Sequence, residues 1–341
     1  MGFAFLGRDI AVDLGTANTL VYVRKKGIVL DEPSVVAINL HTGKMMAVGK
    51  AAREMIGRTP PHVTTLRPLR DGVIADLEAA ERMLRHFIQL AHPNRYLAKP
   101  RVVVAVPSGT TSVEQRAVKE AAYEAGARRV ELIEEPMAAA IGAGLNIGET
   151  TGNMVVDIGG GTTEVAIVSM GGVVVSKSVR VGGDELDEAI VGHVKKQHSL
   201  LLGERTAEHI KLTLGTTGSG GDDTTIPIRG RDLVTGLPKT ATISRAEVRE
   251  AIEDQVQTIV DAVQTTLDQC PAELAGDLLD NGVVLTGGGS LLDGLPDRLR
   301  EAIGMPIHVV DEPLHSVVLG AGRCVEQFDE MRDAFLPETR R

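Results

Sequence analysis

The sequence predicts an α/β fold in which one unit is used twice, with a cleft between the two copies. Three observations predict it. The stretch Asp157-Ile158-Gly159-Gly160-Gly161-Thr162-Thr163-Glu164 lies between two β-like apolar runs, 154–156 and 165–168. A second stretch, Asp13-Leu14-Gly15-Thr16-Ala17-Asn18-Thr19, lies between the runs 10–12 and 20–23. Each is followed by a tight turn (Lys25-Lys26-Gly27, Gly171-Gly172), a third apolar run and, further on, a strand–helix–strand–helix series. An internal repeat outranks a local motif as evidence for architecture.

The two hairpins carry a recognisable chemistry. Glycines let backbone N–H groups turn inward at φ values that other residues resist, and such groups cradle anions. The candidate cradles are Gly15, Thr16, Ala17 and Asn18 in the first copy, and Gly159, Gly160, Gly161 and Thr162 in the second. Asp13 and Asp157 at the strand ends repel phosphate, so their expected role is to hold Mg²⁺ or its waters. A single hairpin of this kind is ordinarily just a turn. Two facing copies imply a phosphate-binding cleft.

The remaining elements follow in order. Residues 35–63 read as short strands, turns and a helix near 51–56, an insertion into the first unit. Val73, Ile74, Leu77, Ala80, Met83, Leu84, Phe87 and Ile88 recur at helical spacing and predict a core-facing helix. Residues 92–100 form a loop. Thr111 and Ser112 before Glu114 and Gln115 predict a capping box, with the helix running to Gly126. The strands 100–106 and 130–133 belong to the first series, 282–286 and 307–310 to the second. Glu134-Glu135-Pro136 opens a helix, where an acid suits the helix dipole whatever else it does.

Gly182-Gly183 opens another helix, and from there to about 241 the chain is polar and loop-rich, a second insertion. Within it Glu208 and Lys211 share a helix face. Ser244-x-x-Glu247 predicts a capping box before a long helix with one apolar stripe. Gly287-Gly288-Gly289-Ser290 turns from a strand into a helix expected from Leu291. Glycines there let a flat base or an α-phosphate lie against backbone. The expected division is a first large unit of 1–34, 65–145 and about 318–341 with insertion 35–64. The second large unit is 146–183 and 244–317, with insertion 184–243.

Composition narrows the function classes. A chain of 341 residues has room for two core-bearing domains. The net charge of −10, with no basic stripe, argues against nucleic acid as main partner. No apolar run reaches the ~18 residues of a membrane span, and 1–7 is too short for a secretory signal. Cys270 and Cys324 offer neither metal spacing nor a disulfide framework, which points to a reducing, cytoplasmic setting. With no Trp and five Phe, the core must be aliphatic.

Ala11–Thr19, Ile133-Glu134-Glu135-Pro136-Met137-Ala138-Ala139-Ala140 and Leu285-Thr286-Gly287-Gly288-Gly289 resemble the actin, Hsp70 and sugar-kinase ATPase superfamily. Within it they are similar to the MreB-type bacterial actin homologues, in the same order and nearly end to end. The resemblance implies an actin-like fold of duplicated ribonuclease-H-type domains, each with a small insertion subdomain, and a nucleotide cleft between them. It implies Mg-ATP as cofactor, slow hydrolysis, and filaments of self-associated copies. Those filaments would lie at the inner face of the cytoplasmic membrane and guide wall synthesis with cell-wall elongation proteins. Glu135 is expected at the γ-phosphate, where with Thr162 it positions the attacking water. Glu208 and Lys211 are expected at ribose and adenine, and Gly287, Gly288, Gly289 and Ser290 at the base and α-phosphate.

Three alternatives share the superfamily. A small-molecule kinase would use the same cleft, but the insertions are short and 133–140 resembles the actin-like branch. An Hsp70-type chaperone needs a peptide-binding domain that is not in this sequence. A non-polymerising, ATP-gated accessory protein stays open, because polymer contacts are not visible in sequence. Phe3, Phe5 and Leu6 at the N-terminus, and Tyr96 and Leu97 in the 92–100 loop, either pack on their domain or form an apolar membrane contact.

Overall fold

The computed structural model describes residues 9–91, 99–221 and 223–337. Two five-stranded sheets organise it. The first has the order Arg129–Glu134, Arg101–Val106, Ile10–Leu14, Asn18–Val23, Gly27–Pro33. The second has the order Ile307–Val309, Val283–Thr286, Asn153–Ile158, Thr163–Ser169, Gly172–Val179. In both, the central strand pairs antiparallel with the hairpin strand beside it and parallel with the strand on its other side. The duplication read from the hairpins therefore extends to the whole sheet topology. Strands inside the sheets, such as Arg101–Val106, are nearly continuous Val and Ala because both faces are covered. The edge strand Gly172–Val179 alternates exposed and half-buried residues instead.

Two helices, Glu135–Gly142 and Ser316–Glu326, lie between the sheets. They share a core with Ala11, Val103 and Ala105 of the first sheet and Val155, Ala166 and Val168 of the second. Their crossing depends on missing side chains. A Cβ at Gly142 would sit 1.8 Å from the Ser316 carbonyl oxygen, and one at Gly320 the same distance from that of Ala138. Each sheet also has an outer aliphatic core. Leu77–Ala91 and Ser112–Glu124 cover the first, and Gly183–His198, Arg245–Asp268 and Leu295–Ile303 the second.

Residues 35–66 form a small sheet, Met45–Val48, Val36–Asn39 and Val63–Leu66, beside helix Lys50–Met55. The second insertion holds Leu200–Leu201, Thr225–Asp232 and Pro238–Ser244, with helix Glu204–Leu214. Its long hairpin was not expected in a polar, loop-rich stretch. The strands are mostly exposed, so their apolar alternation is weak, and the turn is closed by Asp232, whose carboxylate accepts from the N–H groups of Val234 and Thr235.

Both expected capping boxes form, at Thr111 with Glu114 and at Ser244 with Glu247. The first of these helices ends at Glu124, short of Gly126. Val73 and Ile74 are not helical. They form a two-residue strand paired with Leu69–Arg70, and the helix starts at Leu77, where Asp76 accepts from the Ala79 N–H. The helix expected from Leu291 starts at Leu295 instead, because Gly294 takes a left-handed turn and Pro296 sits in the first helical turn. Residues Gly288–Leu291 are a 3₁₀ turn. Helix Ala272–Asn281 was not anticipated.

Candidate nucleotide site between the two halves

The two glycine hairpins meet in the cleft. In the first, Ser34 fixes the turn: its N–H donates to the Ala17 carbonyl at 2.9 Å and its hydroxyl to the Gly15 carbonyl at 2.6 Å. Asn18 is anchored by an amide hydrogen bond to Asp31, 2.9 Å. In the second, the Gly159 N–H donates to the Thr162 carbonyl at 2.8 Å, a tight loop that leaves Gly160 and Gly161 at its tip. A Cβ on Gly160 would lie 2.7 Å from the Cβ of Ala17, and one on Gly161 3.0 Å from Thr16 Cγ2. The tips from opposite halves thus approach to contact, and only glycine fits.

Behind the tips stands a group of buried carboxylates. Asp13 and Asp157 are the last residues but one of the two central strands, Glu135 begins the helix between the sheets, and Glu164 lies directly across the hairpin from Asp157. Burial pushes Asp13 up to about 8, helped by the charges of Asp157 and Asp31. Burial pushes Asp157 up to about 6, against the Thr286 hydroxyl that donates to it at 3.0 Å, with the Glu164 charge adding to the rise. Glu135 is raised well above the usual carboxylate range by burial, then by Glu164, Asp13 and Asp157. Each of these carboxylates is raised first by burial and then by the charge of its neighbours, so they repel one another in the ionised form. Among the described residues no three acidic, His or Cys groups converge closely enough to ligate an ion directly. A divalent cation bound near these carboxylates would relieve the repulsion.

The structure adds residues to which the motifs gave no role. Glu164 is 1 % exposed and accepts from the hydroxyls of Ser108, on the opposite half, and Ser178. The turn Asp71-Gly72 inserts between the hairpins. The Gly72 N–H donates to the Thr16 hydroxyl at 3.3 Å, and a Cβ on Gly72 would meet Thr162 Cγ2 at 2.8 Å. Asp71 and Gly72 both have positive φ. An Asp-Gly pair between short apolar runs is a hairpin signal, so the turn itself was legible. Its place in the cleft was not.

Other expected site residues are placed less simply. Glu208 and Lys211 share a helix but face different partners. Lys211 donates to the Gly183 carbonyl at 2.7 Å and to Asp187 at 3.0 Å, while Glu208 pairs with Arg53 of the other insertion. Gly287 and Gly289 press on the second central strand: a Cβ on either would meet Ile158 at 2.3 and 2.2 Å. Ser290 is buried and donates its hydroxyl to the Gly287 carbonyl, closing its own turn. Gly288 approaches Leu314. Phe3, Phe5, Leu6, Tyr96 and Leu97 lie outside the described residues.

The family model described as MreB/Mbl protein matches residues 7–333. The chain belongs to the MreB/Mbl family. The cell shape-determining protein Mbl of Bacillus cereus is 48% identical over 95% of this chain and 97% of its own length. The cell shape-determining protein MreB of Escherichia coli K12 is 51% identical over 94% of each chain. Among solved structures, MreB5 of Spiroplasma citri bound to ADP is similar with a TM-score of 0.90 and 38% identity, covering 95% of this chain and 98% of that one. The same protein bound to AMPPNP has the same TM-score. The MamK double helical filament is similar at a TM-score of 0.80 and 24% identity over 94% of this chain and 98% of that one, which shows shared fold alone. The MreB/Mbl cleft thus has the actin-like architecture implied by the three motifs. No helix among the described residues is long and apolar enough to cross a membrane.

Proposed function

We propose that this MreB/Mbl chain binds Mg-ATP in the cleft, hydrolyses it slowly, and polymerises into filaments at the inner surface of the cell membrane. The observation that carries the nucleotide reading is the contact of the two glycine tips in front of mutually repelling carboxylates. The ADP and AMPPNP bound by the Spiroplasma citri relative support it. Backbone N–H groups and hydroxyls of residues 15–18 and 159–162 hold phosphate oxygens. Asp13 and Asp157 would hold Mg²⁺, which would supply neutralising charge when bound. Glu135, raised in proton affinity by its buried setting, takes a proton from the attacking water, and Thr162 orients that water. Positioning and electrostatics suffice for phosphoryl transfer; no covalent step on the protein is needed.

Filament formation is supported by the family and by the filament of the structurally similar MamK. Each of Phe3, Phe5 and Leu6 contributes up to ~1.5–3 kcal/mol on full burial in lipid, with Tyr96 and Leu97 in support. That binds a monomer only marginally, but a filament presents many copies at once. Such a filament guides cell-wall elongation proteins. Sedimentation of purified protein with Mg-ATP, with and without liposomes, tests the reading. Nucleotide-dependent pelleting that recruits liposomes is expected, and deletion of 2–6 removes the liposomes while ATP binding persists. A protein that binds Mg-ATP yet never pellets would instead be an ATP-gated accessory protein.

A further inference from the structure

Three arginines of the first half reach across the cleft. Arg53 pairs with Glu208, Arg70 with Glu188 at 3.2 Å, and Arg67 with Asp184. The third differs from the others in what its partner does. Arg67 Nη1 donates to both carboxylate oxygens of Asp184, at 3.1 and 2.9 Å, and its other nitrogen lies 3.7 Å from Glu204. Asp184 is also a backbone donor. Its N–H donates to the Gly160 carbonyl at 2.7 Å, and the neighbouring Gly183 N–H donates to the Gly159 carbonyl at 3.0 Å. The fit is close enough that a Cβ on Gly182 would lie 2.6 Å from the Gly160 oxygen. The second glycine hairpin is therefore held from behind by residues 182–184, and 184 is held from the other half by Arg67.

We propose that Arg67 is a positioning residue for the second glycine hairpin, acting through Asp184 to set how far Gly160 stands from the hairpin of the first half. The connection is short. Arg67 follows directly on the strand Val63–Leu66, and five residues later Gly72 bonds Thr16 of the first hairpin. One stretch of the first half thus touches its own hairpin at one end and the support of the opposite hairpin at the other. A shift of Asp184 moves two hydrogen-bond donors that face Gly159 and Gly160, whereas loss of Arg70–Glu188, both well exposed, moves neither. The consequence for ligand binding rests on the reading of that hairpin as a phosphate seat.

The test measures amide hydrogen exchange of a peptide spanning 157–164 in the nucleotide-free protein, together with Mg-ATP affinity by calorimetry. The variants are Arg67→Gln and the near-isosteric Asp184→Asn, which keeps the measurement possible if the first does not fold. Each is expected to speed exchange in 157–164 several-fold while leaving 248–266 unchanged. Each should also weaken Mg-ATP by about fivefold, the upper end for a partly exposed pair. The double variant should lose no more than either single one, since both break one connection. Unchanged exchange in 157–164, or equal acceleration in 248–266, would overturn the positioning role. Faster exchange in 157–164 with unaltered Mg-ATP affinity would uphold the positioning and overturn the phosphate reading of the hairpin.

Discussion

Arg53 and Glu208 form an ion pair between the two halves, joining helix Lys50–Met55 of the first insertion to helix Glu204–Leu214 of the second. The two side chains are each more than a third exposed, so the pair is weak in water and screened by salt. Because it ties the two insertions together, it is expected to act as a latch. Arg53→Ala is expected to speed nucleotide entry and release alike, by about two- to fivefold, with little change in affinity. Stopped-flow traces with a fluorescent ATP analogue check this. A large change in affinity carried by the release rate alone would make Arg53 a ligand contact.

Glu135→Ala should reduce phosphate release by at least ~10², the lower end for a positioned acid or base, while ATP affinity stays nearly intact. Calorimetry and a phosphate-release assay on the same preparation separate the two. Equal losses in both would make Glu135 a structural residue of the helix between the sheets.

Asp157→Ala should weaken Mg-ATP binding far more than metal-free ATP binding, because only the metal complex uses the carboxylate. Titrations in magnesium and in EDTA give the ratio. The same loss in both would remove Asp157 from the metal site. The variant also frees the Thr286 hydroxyl, so its thermal midpoint needs recording alongside.

Nucleotide-free protein should become less stable as pH rises from about 4 to about 8. Asp13 has its folded pKa raised to about 8 from an ordinary 3.8, so between these values the folded state holds a proton that the unfolded state has released. Stability then falls with rising pH, the opposite of a salt-bridged aspartate. Asp157, raised to about 6, adds to the slope over the lower part of that window. Asp13→Asn should flatten the slope and raise the melting temperature at pH 8. A midpoint that rises with pH in the unsubstituted protein would contradict the assignment.

Gly320→Ala should destabilise the fold by about 1–3 kcal/mol or more, since the added carbon meets a backbone carbonyl in the helix crossing rather than a yielding side chain. Urea unfolding measures it. A substitution at Gly148, which has nothing near its Cβ, serves as the control and should change stability little.

Much of this molecule was legible in one dimension because its chemistry is local. Asp13 with Gly15–Asn18 and Asp157 with Gly159–Thr162 mark their hairpins through residues adjacent in the chain, where φ preference and turn geometry act directly. Thr111 with Glu114 and Ser244 with Glu247 mark helix starts for the same reason. Apolar runs announced the strands of the two five-stranded sheets, and the repeat of strand, hairpin and βαβα series announced the duplication. Other features depended on segments far apart in sequence. That Asp71-Gly72 wedges between Thr16 and Thr162, that Glu164 binds Ser108, and that Arg67 holds Asp184 follow only from how the two sheets close on helices Glu135–Gly142 and Ser316–Glu326. Periodicity placed Val73 and Ile74 in a helix because apolar spacing cannot tell a short hairpin from the first turn of the helix that follows. Gly287 and Gly289 read as a seat for a flat base, and only packing revealed that Ile158 already requires them to be glycine. The sequence by itself determined which residues build the two glycine hairpins; the tertiary structure decided how near the hairpins stand to one another, because that distance is set by side chains and carbonyls brought together from both halves.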